Sequence, residues 1–184
     1  MSLSPRGLTQ LGTGTGNYCL TPAAADALAR SGIALRAVAP ARLTSSDGRP
    51  CVAAPILGGS FSADFTAGDI SFDGGFEFAR DDGKQLVMAG LKGDVSAGRI
   101  SGDVRGSGTG RADVLAFTID PAKLQLSPAQ LTAHITFTLA EDGAAAFQEV
   151  FGEVPVAAGE GIFDGHGVAR LTVAGAGSAL DGLL

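Results

Sequence analysis

Hydrophobic and polar residues alternate with a period of two along most of this chain. In 131–139, "LTAHITFTL", five apolar residues alternate with three threonines and His134. The segments 58–65 and 112–120 repeat this pattern, and turn-forming residues separate such runs at intervals of roughly 8–12 residues. The pattern predicts an all-β, mainly antiparallel fold of about nine to ten strands. A closed or nearly closed barrel and a sandwich both satisfy it.

Two segments depart from this period and predict short helices. In 21–32, Thr21 is a suitable N-cap, Pro22 suits the first helical position and Gly32 suits a left-handed C-terminal stop. The segment 140–152 carries apolar residues at helical spacing and ends at Gly152.

Domain boundaries follow from composition. Residues 1–15 are rich in Gly, Ser and Thr and predict a flexible arm. The alternating pattern then predicts a single β domain over 16–175. The Gly- and Ala-rich residues 176–184 predict a tail.

The stretch "ISFDGGFEF" (70–78) has two interpretations. If Gly74-Gly75 formed a two-residue hairpin loop, acidic and aromatic residues would share one face. If a single strand runs through, its apolar residues share one face, and Asp73 and Glu77 share the other. The second interpretation preserves the alternation, and the glycines then indicate a bend, a bulge or a close approach.

Composition excludes several classes of partner. The chain has 184 residues, 45% of them hydrophobic, and a net charge of −6. Because nucleic acids and anionic membranes attract basic surfaces, neither is an expected partner. No apolar run reaches the roughly 18 residues of a membrane-spanning helix, and the N-terminus lacks a signal-peptide core. We therefore expect a cytoplasmic protein, or a secreted one if a signal peptide has been removed.

Cys19 and Cys51 are the two cysteines, and the sequence allows two states for them. They are either small buried hydrophobic residues or, in an oxidising compartment, a disulfide. Together with His134 and His166 they do not form a zinc-finger spacing, so no metal site is predicted.

No cofactor or nucleophile motif is present, so we expect no cofactor. A barrel with ten Phe residues has room for an apolar small molecule, and a carboxylic acid in such a pocket has a raised pKa. Asp73 and Glu77 are the candidate acid/base pair, and His134 is the third catalytic candidate. Each also fits an ordinary solvated strand face.

The candidate ligand-binding residues are Tyr18, Phe72 and Phe117. Tyr18, the one tyrosine, also fits a half-buried packing position. The second histidine, His166, lies in "FDGHGV" and is expected in a turn.

Several stretches together resemble a known group of proteins. They are "GNYCLTPAAADALARSGI", "ISFDGGFEFAR", "ADVLAFTIDPAKLQLSPAQL" and "AAAFQEVFG". They resemble small actinobacterial all-β proteins over most of 16–175, including polyketide ring-closing enzymes such as spiroketal cyclases. More distantly they resemble the Htaa-type haem-uptake domain.

The haem-uptake resemblance implies a Tyr ligand in an N-terminal strand that contains Trp. This chain has no Trp, so it departs from that pattern. The resemblance implies that Tyr18 would stand in as the ligand, with His134 as its hydrogen-bond partner.

Three functions follow from these observations. The first is a cofactor-free cyclase or isomerase that acts on an apolar polyketide-like substrate. The second is a non-catalytic binder of haem or a lipid-like molecule, and the third is a secreted structural domain. An apolar small molecule is the expected partner, and the oligomeric state is left open.

Overall fold

Strands dominate residues 8–172, the part of the chain that the computed structural model describes. The strands are β1 (Leu8–Leu20), β2 (Ile33–Val38), β3 (Arg42–Ser46), β4 (Arg49–Ser62), β5 (Gly68–Phe72), β6 (Gly75–Arg80), β7 (Gln85–Asp94), β8 (Arg99–Arg105), β9 (Gly110–Phe117), β10 (Leu124–Leu126), β11 (Gln130–Leu139) and β12 (Gly161–Thr172). The helices are α1 (Pro22–Arg30) and α2 (Glu141–Phe151), with a 3-10 turn at Pro121–Lys123. The predicted all-β fold with two short helices is confirmed.

Eight of these strands close into an antiparallel barrel. Their order is β7-β5-β4-β1-β12-β11-β9-β8, and the ladder between β7 and β8 closes the circle. The remaining strands are not members of this closed order. β6 pairs with β7 and β2, β3 pairs with β4, and β10 pairs with β11. Closure pairs the backbone groups that an open sheet would leave at its edges.

Both helices lie at the same end of the barrel, which we call the helix end. Helix α1 follows the last residue of β1, and α2 lies between the end of β11 and the start of β12. The hydroxyl of Thr21 accepts a hydrogen bond from the Ala24 N–H at 3.1 Å, as predicted for the N-cap. Gly152 ends α2 in the left-handed conformation, as also predicted.

The stretch 70–78 is one bent strand path rather than a hairpin. β5 and β6 follow each other along the same side of β7, with Ser71 opposite Lys92 and Gly75 opposite Ala89. Asp73 and Gly74 form the bend between them. The apolar residues of this stretch join the core, as the alternation predicted.

A close approach of backbone explains the glycine at this bend. Gly74 has a φ of +73°, and a Cβ placed there would collide with the carbonyl oxygen of Val38 and with the backbone of Ala41. Only glycine satisfies both conditions. The turn between β2 and β3 therefore packs directly on the bend in the barrel wall.

A disulfide joins Cys19 of β1 to Cys51 of β4. The two residues lie directly opposite each other in the antiparallel ladder between these strands. Of the two states that the sequence allowed, the structure has the bonded one.

The predicted arm and tail lie at the two ends of the chain. β1 begins at Leu8, so residues 8–15 form part of a barrel strand. The predicted tail, 176–184, lies outside the described residues. Within residues 8–172, neither helix has the length and hydrophobicity needed to cross a bilayer.

Substituting the bend glycine tests the close approach. We expect Gly74→Ala to lower the free energy of unfolding by about 3 kcal/mol, because it adds a backbone clash to the strain of a positive φ. Gly83→Ala is the matched control: its φ is +87° but nothing lies within 4 Å of the added Cβ, so we expect a loss of about 1 kcal/mol. Urea denaturation measures both, and equal losses would contradict the packing described.

The disulfide predicts a redox-dependent stability. Its 32-residue separation implies that reduction lowers the free energy of unfolding by about 3–4 kcal/mol, because the reduced unfolded chain gains loop entropy. Urea denaturation with and without reductant measures the change. A Cys19→Ala/Cys51→Ala variant should be insensitive to reductant, and a wild-type transition unmoved by reductant would show that the bond is absent.

Candidate functional site

Tyr18 lies at the centre of an aromatic cluster inside the barrel. Its ring centroid is 5.2–5.8 Å from four phenylalanine rings, those of Phe72, Phe76, Phe137 and Phe163. The side chain is only 1% exposed. Alternation along β1 directs it inward, together with Gly16 and Leu20.

The hydroxyl of Tyr18 is buried without a hydrogen-bond partner. Among residues 8–172 it is the one buried side-chain nitrogen or oxygen in this state. Burial raises the pKa of the Tyr18 phenol far above its ordinary value, because the apolar surroundings disfavour the phenolate. An unpaired buried hydroxyl of this kind lowers the free energy of unfolding by about 1–3 kcal/mol. It can still form a hydrogen bond with a ligand.

An apolar cavity of about 120 Å³ extends from Tyr18 toward the end of the barrel opposite the helices. We call it the barrel cavity. Its walls are inward-facing residues from most barrel strands, among them Leu11, Phe61, Phe65, Ile70, Phe72, Ile100, Phe117, Leu131, Ala133, Ile135 and Phe137. The ligand-binding candidates Tyr18, Phe72 and Phe117 therefore all line one space. Its wall is almost wholly apolar.

His134 lies on the other face of β11. Ile135 lines the barrel cavity, so the alternation of the strand turns His134 and Thr136 outward. Tyr18 and His134 are thus on opposite sides of the barrel wall. The expected hydrogen bond between them is absent from the structure, in which the Tyr18 hydroxyl has no partner.

An open cleft of about 290 Å³ lies beside His134 on this outer face. We call it the His134 cleft, and its walls are Arg99, Ala116, Phe117, Thr118, Asp120, Lys123, His134, Ile135, Thr136 and Thr138. It exists because β11 lacks a partner at 134–136 on this side. β9 pairs with β11 only from Phe137 onward, and β10 pairs only up to Ala133.

The charges around the cleft favour an anionic group. Arg99 and Lys123 line it, both are exposed, and neither forms a salt bridge within residues 8–172. Asp120 also lines the cleft, where it caps the 3-10 turn by accepting a hydrogen bond from the Ala122 N–H at 3.0 Å, and its negative charge offsets one of the two positive charges. The cleft thus combines an exposed imidazole with two available cations.

The other predicted catalytic residues lie elsewhere. Asp73 is exposed at the bend and accepts a hydrogen bond from the Gly74 N–H at 2.9 Å. Glu77 lies opposite Arg36 in the ladder with β2, on the face away from the buried Phe76 and Phe78. Within residues 8–172, neither carboxylate lines the barrel cavity or the His134 cleft. The structure thus gives these acids the solvated positions that the sequence also allowed, and places neither in these two pockets.

His166 is a strand residue rather than the predicted turn residue. It lies in β12 directly opposite His134, and the two ring centroids are 4.5 Å apart. Both side chains are exposed. Only His134 lines the cleft, whereas His166 borders the barrel cavity.

Sequence reasoning did not single out Arg99 and Lys123. They are 24 positions apart and meet His134 only because the barrel brings β8, the 3-10 turn and β11 together. No local pattern identifies such a set. The one available signal was the scarcity of basic residues, 13 in the chain, which makes a pair beside a histidine notable.

Comparison with solved structures identifies the fold. The C-terminal domain of HtaA from Corynebacterium glutamicum superposes with a TM-score of 0.60 at 17% identity, over 88% of this chain and 99% of that one. The haem-binding protein HtaB from the same organism gives 0.53 at 12% identity, over 89% and 94%. The chain shares the HtaA and HtaB fold. No family model and no curated protein sequence matches it.

This likeness corrects the predicted cyclase assignment. Polyketide cyclase, isomerase and antibiotic biosynthesis were the expected functions, whereas the solved structures that share this fold include a haem-binding protein. The distant resemblance to Htaa-type domains agrees with the structures. At 12–17% identity the likeness concerns the fold and transfers no individual residue.

Removing the Tyr18 hydroxyl tests its unpaired state. We expect Tyr18→Phe to raise the free energy of unfolding by about 1 kcal/mol, because it removes a buried donor that has no acceptor and keeps the ring. Chemical denaturation measures this change. A loss of stability of 1 kcal/mol or more would show that the hydroxyl has a hydrogen-bond partner.

Proposed function

We propose that this chain is a non-catalytic haem-binding domain whose iron ligand is His134 in the outer cleft. The observation that carries the proposal is the exposed imidazole of His134 beside two cations, Arg99 and Lys123, that form no salt bridge within residues 8–172. The fold supports it, because HtaB, which shares the fold, is a haem-binding protein.

Comparison of the side chains that can bind haem iron favours His134. Proteins hold haem iron with His, Cys, Met or Tyr side chains, and this chain has seven of these residues. The two cysteines are bonded to each other, Met88 is fully buried, and Met1 lies outside the described residues. Tyr18 and the two histidines remain as candidates.

Tyr18 does not fit haem in this structure. The barrel cavity has about 120 Å³, well below the roughly 300–1,000 Å³ of pockets for drug-sized ligands. Four phenylalanine rings surround Tyr18, and its raised pKa opposes the phenolate that would bind ferric iron. A porphyrin therefore cannot reach the Tyr18 oxygen without displacing the core.

The His134 cleft fits haem better in size and charge. At about 290 Å³ it approaches the range for ligand pockets, and it opens to solvent, so a flat ring can extend beyond it. His134 is held on a rigid strand and presents its imidazole to the iron. Arg99 and Lys123 match the two carboxylates of a haem, and Phe117 supplies apolar contact.

The disulfide supports a location outside the reducing cytoplasm. Disulfides such as Cys19–Cys51 persist in oxidising compartments and are rare in the cytosol. We therefore propose that the domain works in such a compartment, contrary to the cytoplasmic expectation.

Titration with haemin tests the assignment. We expect wild-type protein to shift the haem Soret band, and His134→Ala to weaken binding at least tenfold, because the iron loses its side-chain ligand. Tyr18→Phe should bind like the wild type. Absorbance titration at neutral pH measures all three affinities.

His166→Ala is the matched control. This residue is an equally exposed histidine on the neighbouring strand, but it does not line the cleft. We expect it to keep most of the wild-type affinity. Equal binding by the two histidine variants, loss of binding in Tyr18→Phe, or a wild-type protein without a Soret shift would each contradict the proposal.

A further inference from the structure

We propose that the barrel cavity is a second binding site, for a compact uncharged ring that carries one hydrogen-bond acceptor. The proposal does not rest on haem binding, because it is argued from the barrel cavity and the Tyr18 hydroxyl, although Phe117 and Ile135 line both the cavity and the His134 cleft. It combines an apolar cavity with Tyr18, which lines the cavity and whose hydroxyl is buried without a hydrogen-bond partner within residues 8–172.

The size of the cavity limits the ligand to a single ring. An apolar cavity of about 150 Å³ in another protein stays dry and binds benzene, and this one has about 120 Å³. Leu, Ile and Phe side chains from strands around the barrel make up most of its wall, and the few polar residues that line it include Ser60 and Asp69. A molecule of about six to seven heavy atoms therefore matches the space available.

Water is a poor occupant of this space. A buried water is held by about two to four polar partners. Within residues 8–172 the Tyr18 hydroxyl is the one buried side-chain polar atom that is free to offer a hydrogen bond. The hydroxyl of Ser60, at the edge of the cavity, already donates to Asp69 at 2.9 Å.

Tyr18 determines the chemistry of the ligand. Its ring lies between the cavity residues Phe72 and Phe137 on one side and the core residues Phe76 and Phe163 on the other. A neutral phenol donates one hydrogen bond, so the matching group on the ligand is an acceptor. The cavity disfavours a charged ligand, because its wall is almost wholly apolar and Asp69, the one carboxylate that lines it, already accepts a hydrogen bond from Ser60.

Phe65 lies over the same cavity and contributes to its shape. It has a positive φ of 57°, and its ring stacks on Phe61 with the centroids 5.2 Å apart. Both rings line the cavity. A flat aromatic ligand is therefore favoured over a branched aliphatic one of the same volume.

Benzene and pyridine form a matched pair of probes. They have nearly the same shape, and at pH 8 pyridine is neutral and adds a single acceptor. We expect both to bind the apo protein and to shift the aromatic NMR signals of Phe72 and Phe137. In Tyr18→Phe, the affinity for pyridine relative to benzene should fall about fivefold to tenfold, because the hydrogen bond to the ring nitrogen is lost.

A second variant tests the location. Ala133→Leu places a larger side chain in the cavity wall, and we expect it to weaken both probes at least tenfold. If Ala133→Leu does not fold, the ratio of the pyridine affinity to the benzene affinity in Tyr18→Phe is sufficient to test the proposal. Absence of binding by both probes, or a ratio that Tyr18→Phe leaves unchanged, would overturn the proposal.

Discussion

The packing of Tyr18 against four phenylalanine rings determines how much space remains inside the barrel. Tyr18 contacts the core residues Phe76 and Phe163 as well as Phe72 and Phe137, which line the barrel cavity. Because this cluster fills the middle of the barrel, the space left inside is small and apolar. This is why we propose that haem binds outside the barrel wall.

Strand β11 separates the two candidate sites. Its inward residues Ala133, Ile135 and Phe137 line the barrel cavity, and its outward residues His134 and Thr136 line the cleft. The cleft forms where β11 runs unpaired between β9 and β10. One strand thus supplies an apolar wall on one side and a potential iron ligand on the other, by simple alternation.

Local patterns predicted much of the fold, because alternation and capping are properties of short segments. Thr21 and Gly152 marked helix ends correctly, and the phase of the residues around Gly74 distinguished a bent strand from a hairpin. The pairing of Cys19 with Cys51 was not determined in this way, because it depends on the register between β1 and β4.

The site was harder to predict than the fold. Alternation places Asp73 and Glu77 on the face opposite the apolar residues, but only the closed barrel shows that this face is the outer one. Tyr18, Phe72 and Phe117 line one cavity, and their role in ligand binding stays a prediction. The cleft of His134, Arg99 and Lys123 required the three-dimensional arrangement of distant segments.

Mapping the position of bound haem distinguishes binding in the His134 cleft from binding inside the barrel. Ferric haem is paramagnetic and broadens the NMR signals of nearby nuclei. We expect haemin to broaden the amide signals of Thr118, Lys123 and His134 and to leave the ring signals of Tyr18 and Phe76 sharp. Selective broadening of the Tyr18 and Phe76 rings, with the cleft residues unaffected, would place the haem inside the barrel. That result would contradict iron binding by His134.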